Sequence, residues 1–171
     1  KAWAQRAGLG WIGKHTNLLT RDYSSWIFLG VLILDQELEY DKPYQDDMCG
    51  SCMACIDECP TNALVEPYQL DANKCISYLT IEHRGDIPIE FHDKLNNWIY
   101  GCDICQEVCP WSQKFSQITD NPSFQHRSDI KERSIEDWSK LSEDEFRILF
   151  KKSAVKRTKY RGLKRNISLE I

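Results

Sequence analysis

"MCGSCMACIDECP", residues 48–60, and "GCDICQEVCP", residues 101–110, decide how this chain is read. The first places Cys49, Cys52 and Cys55 with two residues between each and the next and follows them with Cys59-Pro60; the second repeats only the end of that pattern, with Cys102, Cys105 and Cys109-Pro110. Three cysteines at that spacing, then x3-Cys-Pro, form the run by which bacterial ferredoxins hold cubane iron–sulfur clusters. Each cubane takes four thiolates, so a pair takes eight. The two stretches supply seven of the eight cysteines in the chain, and Cys75, between them, is the remaining one. The displaced eighth ligand is therefore Cys75. In ferredoxins the fourth cysteine of each run crosses to the other cluster. One cluster then takes Cys49, Cys52, Cys55 and Cys109, and the other takes Cys75, Cys102, Cys105 and Cys59. The result is a modified ferredoxin module, and the insertion before Cys102 gives the segment around Cys75 room for a second job, such as lining an interface with a partner group.

Other uses of eight cysteines compete with this one. An even count fits a disulfide framework, but nothing here points to secretion. C-x2-C pairs also hold structural zinc. Against zinc stand the third cysteine at the same spacing and the Cys-Pro endings. Composition is that of an ordinary globular chain: 171 residues, 42% hydrophobic, 28% charged, net charge −4. Its longest apolar run, Trp26 to Leu34, falls well below the roughly 20 residues of a membrane span, so no membrane partner is expected. No leader pattern is visible, which points to the cytoplasm. The chain starts at Lys1 inside a helical pattern, "KAWAQRA", and stops after "RNISLEI". It reads as an internal piece of a longer protein.

Along the chain, Gly8-x-Gly10-x-x-Gly13 spells the dinucleotide fingerprint, but it follows a helix and leads into a strand, the reverse of the required context. A glycine helix stop with a tight loop, or close backbone approach to a large cofactor, suits it better. Asn17–Thr20 and Ser25–Leu34 are predicted to form a hairpin, with Trp26, Phe28, Val31 and Ile33 in the core. Residues 35–47 are an acidic surface connection. "TNALVEP" reads as a short helix halted by Pro67, and Asp71 as the cap of a helix that carries Cys75 and ends at Gly85. The chain is then polar and loop-like from Pro110 to about residue 133. Ser134 with Asp137 and Ser142 with Glu145 announce two capped helices, the second packing through Phe146, Leu149 and Phe150. Finally, Lys151 to Arg165 carries eight Lys or Arg and no acid. Such a run is either a solvated face or a contact surface for phosphates.

Taken together, "AGLGWIGKHT", "SWIFLGVLIL", "CGSCMACIDECPTNAL", "LDANKCISYLTIEHRG", "GCDICQEVCPW" and "KRTKYRGLKRN", in this order, resemble the epoxyqueuosine reductase family. The resemblance implies a cobalamin-dependent iron–sulfur oxidoreductase of queuosine biosynthesis and tRNA processing. Such an enzyme reduces epoxyqueuosine to queuosine at the wobble position of tRNA, with electrons relayed through two [4Fe-4S] clusters to cobalamin. It implies an α+β fold: residues 1–40 end a cobalamin-binding domain, 41–115 form a two-[4Fe-4S] ferredoxin-like domain, and 116–171 form a helical segment with a basic tail. Cobalamin contacts are expected at Lys14, His15, Leu19, Gly30, Ser77 and Asp103, and tRNA contacts at Lys156, Arg157, Lys159, Arg161, Lys164 and Arg165. The partners implied are a tRNA with a GUN anticodon carrying epoxyqueuosine and an external electron donor, with the protein a monomer. No catalytic residue is assigned, because the family's proton-donor aspartate is expected upstream of Lys1. A ferredoxin-like electron-transfer module without catalysis of its own explains the cysteines equally well. It leaves "AGLGWIGKHT" and the basic tail without a use.

Overall fold

The computed structural model describes residues 1–170. In chain order its regular elements are α1 Ala2–Arg6, β1 Trp11–Ile12, β2 Leu18–Leu19, α2 Ala54–Asp57, β3 Leu64–Glu66, β4 Gln69–Leu70, α3 Ile76–Ile81, α4 Ile104–Glu107, α5 Pro110–Phe115, α6 Ser128–Lys131, α7 Ile135–Ser139, α8 Glu143–Leu149 and α9 Lys159–Ser168. Most of these helices are a turn or two long, too short to persist without tertiary support. Residues 1–71 with 104–118 form one compact unit, and residues 72–103 with those from 119 onward form a second.

In the first unit α1 stops at Gly8, whose φ of +71° is the left-handed stop a glycine provides. β1 then pairs antiparallel with β2, Trp11 opposite Leu19 and Ile12 opposite Leu18. The two run so close that a Cβ on Gly10 would sit 1.9 Å from the Leu19 carbonyl oxygen. That glycine therefore admits the chain's own strand. Trp11 and Leu19 are buried with Cys109, and Trp111 meets Trp11 edge-on at 4.8 Å between centroids. The Trp111 indole donates to the Met48 carbonyl at 3.1 Å, which ties the start of α5 to the first cysteine loop.

Three local expectations are corrected here. Residues 25–34 form no strand, and Phe28, Val31 and Ile33 are 88%, 75% and 95% exposed, with Trp26 also exposed. A β run needs a ladder for its backbone groups, and among the described residues no strand pairs with this one. The hairpin is instead β1–β2, followed by a single Thr20–Ser24 bridge. "TNALVEP" is not a helix: it supplies β3, which turns through Pro67 and Tyr68 into β4. Proline at the second turn position fixes φ, and Tyr68 takes φ +67° at the third, as a type II turn demands. Tyr68 is held there by its N–H to Lys14 O (3.0 Å) and its hydroxyl to Asp47 Oδ2 (2.5 Å).

In the second unit the expected cap at Asp71 is also displaced. A 3-10 turn occupies Ala72–Lys74, and Cys75, with φ −69° and ψ 125°, is itself the residue before α3. Cys75 thus precedes its helix, which ends at Ile81, short of Gly85. Ile76 and Leu79 pack with Ile87, Phe91 and Leu95. The predicted capped helices are present as α7, with a full Ser134–Asp137 capping box, and α8, where Ser142 accepts from the Glu145 N–H. Phe146, Leu149 and Phe150 join Trp138, Leu141, Leu163 and Ile167 in a second core. The stretch from Pro110 to about residue 133, expected to be loop-like, instead holds α5 and α6, which the polar sequence hid.

A buried polar knot fixes α9 in this unit. The Asn166 amide donates to Thr80 O and Ile99 O at 2.8 and 2.9 Å, and the Thr158 hydroxyl donates to Thr80 O at 2.9 Å. Buried polar groups are tolerated when every partner is met, and then they specify one arrangement.

Candidate metal centre and basic face

The first unit brings four of the cysteines round one cavity. Gly50, at φ +52°, turns the chain sharply after Cys49, and the Cys52 N–H closes on Cys49 O at 3.2 Å. α2 follows immediately and carries Cys55 on its buried side. Cys109 enters from the second stretch as the residue before α5, where Pro110 at the first helical position has its φ already set. Cys49, Cys52, Cys55 and Cys109, with Lys14 and His15, line a cavity of about 220 Å³.

Lys14 is the clamp on this loop. It is 8% exposed, and its ammonium donates to Gly50 O at 2.7 Å and Cys52 O at 2.8 Å. Burial pushes the Cys49 thiol up; it pushes Cys55 to about 11, with further repulsion from Cys109, Cys49 and Cys52. Thiolates so placed need a cation to stand together, and metal binding is what removes their protons. Among the described residues no three His, Cys, Asp or Glu side chains are placed to hold a single ion. The thiols border a volume, which suits a cluster better than a zinc ion bonded at about 2.3 Å.

Two buried donors fit the same reading. The Asn17 N–H donates to His15 Nδ1 at 3.1 Å, so Nε2 carries the ring proton, and that atom has no partner. Burial, then the charge of Lys1, holds His15 down at about 4, a neutral imidazole. The Trp11 indole N–H is also buried without a partner. It lies beside Cys49 and opposes the rise in that thiol, without reaching bonding geometry. Donors left open at a ring of thiols match a group that brings acceptor sulfurs.

The other four cysteines are divided. Cys59 Sγ accepts from the Ala63 N–H at 3.3 Å, and Cys105 lies on α4, both in the first unit. Cys75 and Cys102 belong to the second, Cys102 packed against the Ile76–Leu95 core. Of the residues expected at cobalamin, Lys14 and His15 line the thiol cavity, Leu19 is fully buried, and Gly30 sits in the exposed segment. Ser77, on α3, and Asp103 lie in the second unit, both partly exposed. Lys14 is committed to loop carbonyls and Leu19 to the core.

The basic residues also separate by role. Lys156, Arg157, Lys159 and Arg161 are exposed, although Arg157 pairs with Glu82 at 2.5 Å. Lys164 donates to Ser139 O. Arg165 donates to Leu79 O at 2.7 Å, His83 O at 3.0 Å, Gly85 O and the Asn166 side chain, so its guanidinium pins the 79–85 segment to α9. His83 and Arg84, which the sequence reading did not single out as contacts, join Lys159 and Arg161 around a second cavity of about 130 Å³. A run of basic letters cannot show which side chains turn inward, nor which distant ones join them.

Residues 48–112, which contain all eight cysteines, match the family described as a 4Fe-4S double cluster binding domain. Over 98% of its length the chain is 53% identical to an epoxyqueuosine reductase of Cellulophaga algicola, covering 54% of that protein. It is 46% identical to one of Synechocystis over 97% of this chain and 57% of the relative. Its fold matches a solved selenomethionine-labelled epoxyqueuosine reductase with a TM-score of 0.89 at 37% identity, over 97% of this chain and 44% of the other. A structure of epoxyqueuosine reductase with an epoxyqueuosine-modified tRNA-Tyr stem loop matches with a TM-score of 0.84 at 35% identity, with the same coverage. The resemblance read from the sequence holds, and so does the coarse fold: mainly helical, few strands, a double-cluster domain. The chain spans about half the length of the curated relatives it matches. Among the described residues no helix is long and apolar enough to cross a membrane.

Proposed function

We propose that this chain supplies the two-cluster electron relay and part of the RNA-binding face of an enzyme that reduces epoxyqueuosine to queuosine in tRNA. The observation that carries this reading is the ring of Cys49, Cys52, Cys55 and Cys109 round one cavity, within a chain half identical to named epoxyqueuosine reductases. Opening an epoxide to an alkene releases its oxygen as water and takes up two electrons and two protons. Bound clusters supply single electrons, and their potentials follow from thiolate ligation, hydrogen bonds and exposure. Those four cysteines are assigned to one cluster. Sequence order assigns Cys59, Cys75, Cys102 and Cys105 to the second. The chain's own part is to hold the thiols, keep Lys14 on the cysteine loop, and exclude water with the Trp11–Trp111 pair.

Cobalamin as the further cofactor, residues 1–40 as the end of its domain and an external electron donor are carried by the resemblance alone, and a cytoplasmic setting is proposed with them. No step here passes through a corrinoid. Lys156, Lys159 and Arg161 are the proposed phosphate contacts, and Lys164 and Arg165 are proposed to support them from within the fold.

The test is a chimera in which this chain replaces the matching segment of the Cellulophaga algicola reductase, expressed in cells lacking their own enzyme. Queuosine in tRNA nucleosides is the expected result. Accumulation of epoxyqueuosine despite full cluster loading would favour the rival reading, an electron-transfer module of another system.

A further inference from the structure

We infer that His15 donates a hydrogen bond from Nε2 to a sulfur of the cluster held by Cys49, Cys52, Cys55 and Cys109, and thereby raises that cluster's reduction potential. The inference rests on the iron–sulfur reading of those cysteines. Its own ground is the ring's fixed geometry. The 13–17 turn is closed by Gly13 N–H to Asn17 O at 2.9 Å and Thr16 N–H to Gly13 O at 2.8 Å. Within it the Asn17 N–H occupies Nδ1, which settles the tautomer. A Cβ on Gly13 would lie 3.1 Å from His15 Cε1, so the ring packs against the bare face of that glycine. His15 is 4% exposed, on the wall of the cavity that the four thiols line.

A buried N–H with no acceptor has lost its hydrogen bond to water and gained nothing in exchange. Few buried polar side-chain atoms lack a partner among the described residues: the donors His15 Nε2 and Trp11 Nε1, and the acceptor Glu170 Oε1. Two of the three lie at the same ring of thiols. Both losses vanish if a sulfur-rich cluster stands in the cavity and accepts. A donor to cluster sulfur stabilises the reduced form, which carries more negative charge, and so moves the potential upward.

The experiment compares the wild-type chain, reconstituted anaerobically with iron and sulfide, with His15→Asn and His15→Gln. Asparagine keeps an acceptor near the place of Nδ1 for the Asn17 amide but lacks the distal donor. Glutamine reaches further and returns an N–H near the place of Nε2. Iron content and the potentials of both clusters are read by redox titration with electron paramagnetic resonance. In His15→Asn, iron stays at about eight per chain. One cluster becomes harder to reduce by about tenfold in its equilibrium constant, about 59 mV for a one-electron couple. His15→Gln recovers part of that shift. Two unchanged potentials in loaded His15→Asn overturn the inference.

If His15→Asn fails to load, wild-type chain labelled with 15N-histidine decides. An imidazole nitrogen coupled to a reduced cluster in spin-echo spectra supports the hydrogen bond, and no coupling overturns it. Wild-type chain that takes up no cluster would remove the iron–sulfur reading itself, and this inference with it.

Discussion

Lys14 shows how much of the site depends on one side chain. A buried ammonium is tolerated only when paired or bonded, and Lys14 is bonded to the two carbonyls that shape the first cysteine loop. Lys14→Met keeps the stem and removes the donors. Hydrogen bonds to charged groups contribute about 1.5–3 kcal/mol each, so iron in the loaded variant is expected to reach a chelator at least tenfold faster than in wild type, followed by absorbance. An unchanged release rate would mean the loop holds itself. Lys159 is the opposite case. It begins α9 at φ +65° and ψ 162°, a region that only glycine occupies without strain. Lys159→Gly is expected to stabilise the chain by about 1 kcal/mol while removing an exposed cation. Arg165→Ala is expected to cost about 2–4 kcal/mol, because the carbonyls of Leu79, His83 and Gly85 lose a charged donor. Thermal melts of the two variants should move in opposite directions.

Elements were legible where the deciding physics was local. The caps at Ser134 and Ser142 need only a side chain three residues from a backbone N–H, and both helices begin where those letters place them. Ser134→Ala should cost about 1 kcal/mol by melting temperature. The same box bears on acid stability. Hydrogen bonds from Ser134 hold the Asp137 carboxyl below its ordinary value, and Arg133 does the same for Glu145. A carboxyl with a lower pKa folded than unfolded stabilises the fold at neutral pH. That contribution fades as the pH drops below the unfolded value, about 4, and is gone below the folded one. Melts of Ser134→Ala between neutral and acid pH should therefore fall less steeply than those of wild type. "TNALVEP" and "SWIFLGVLIL" misled for a different reason. The first is settled by a turn in which Tyr68 is held by Lys14 and Asp47, neither adjacent in sequence. The second carries strand letters, and a strand exists only where a partner strand does.

For the whole molecule the cysteine spacing carried most of the reading, because ligand number and order are properties of the chain itself. It indicated a double-cluster module and singled out Cys75. It did not show Lys14 on the loop, the open donors of His15 and Trp11, or the inward turn of Lys164 and Arg165, since those depend on packing. The proposed RNA face is tested by salt. The triple variant Lys156→Gln, Lys159→Gln, Arg161→Gln should lose roughly 0.7–0.9 in log–log salt slope for each phosphate contact removed, measured with a modified anticodon stem loop. An unchanged slope would move the RNA contacts elsewhere.

The most direct test of the central claim counts metal and sulfide. After anaerobic reconstitution the wild-type chain should hold about eight iron and eight inorganic sulfide, and Cys75→Ser about four of each, with the signal of one reduced cluster retained. Full loading of Cys75→Ser would contradict the ligand assignment. Wild-type chain holding zinc without sulfide would contradict the two-cluster account as a whole.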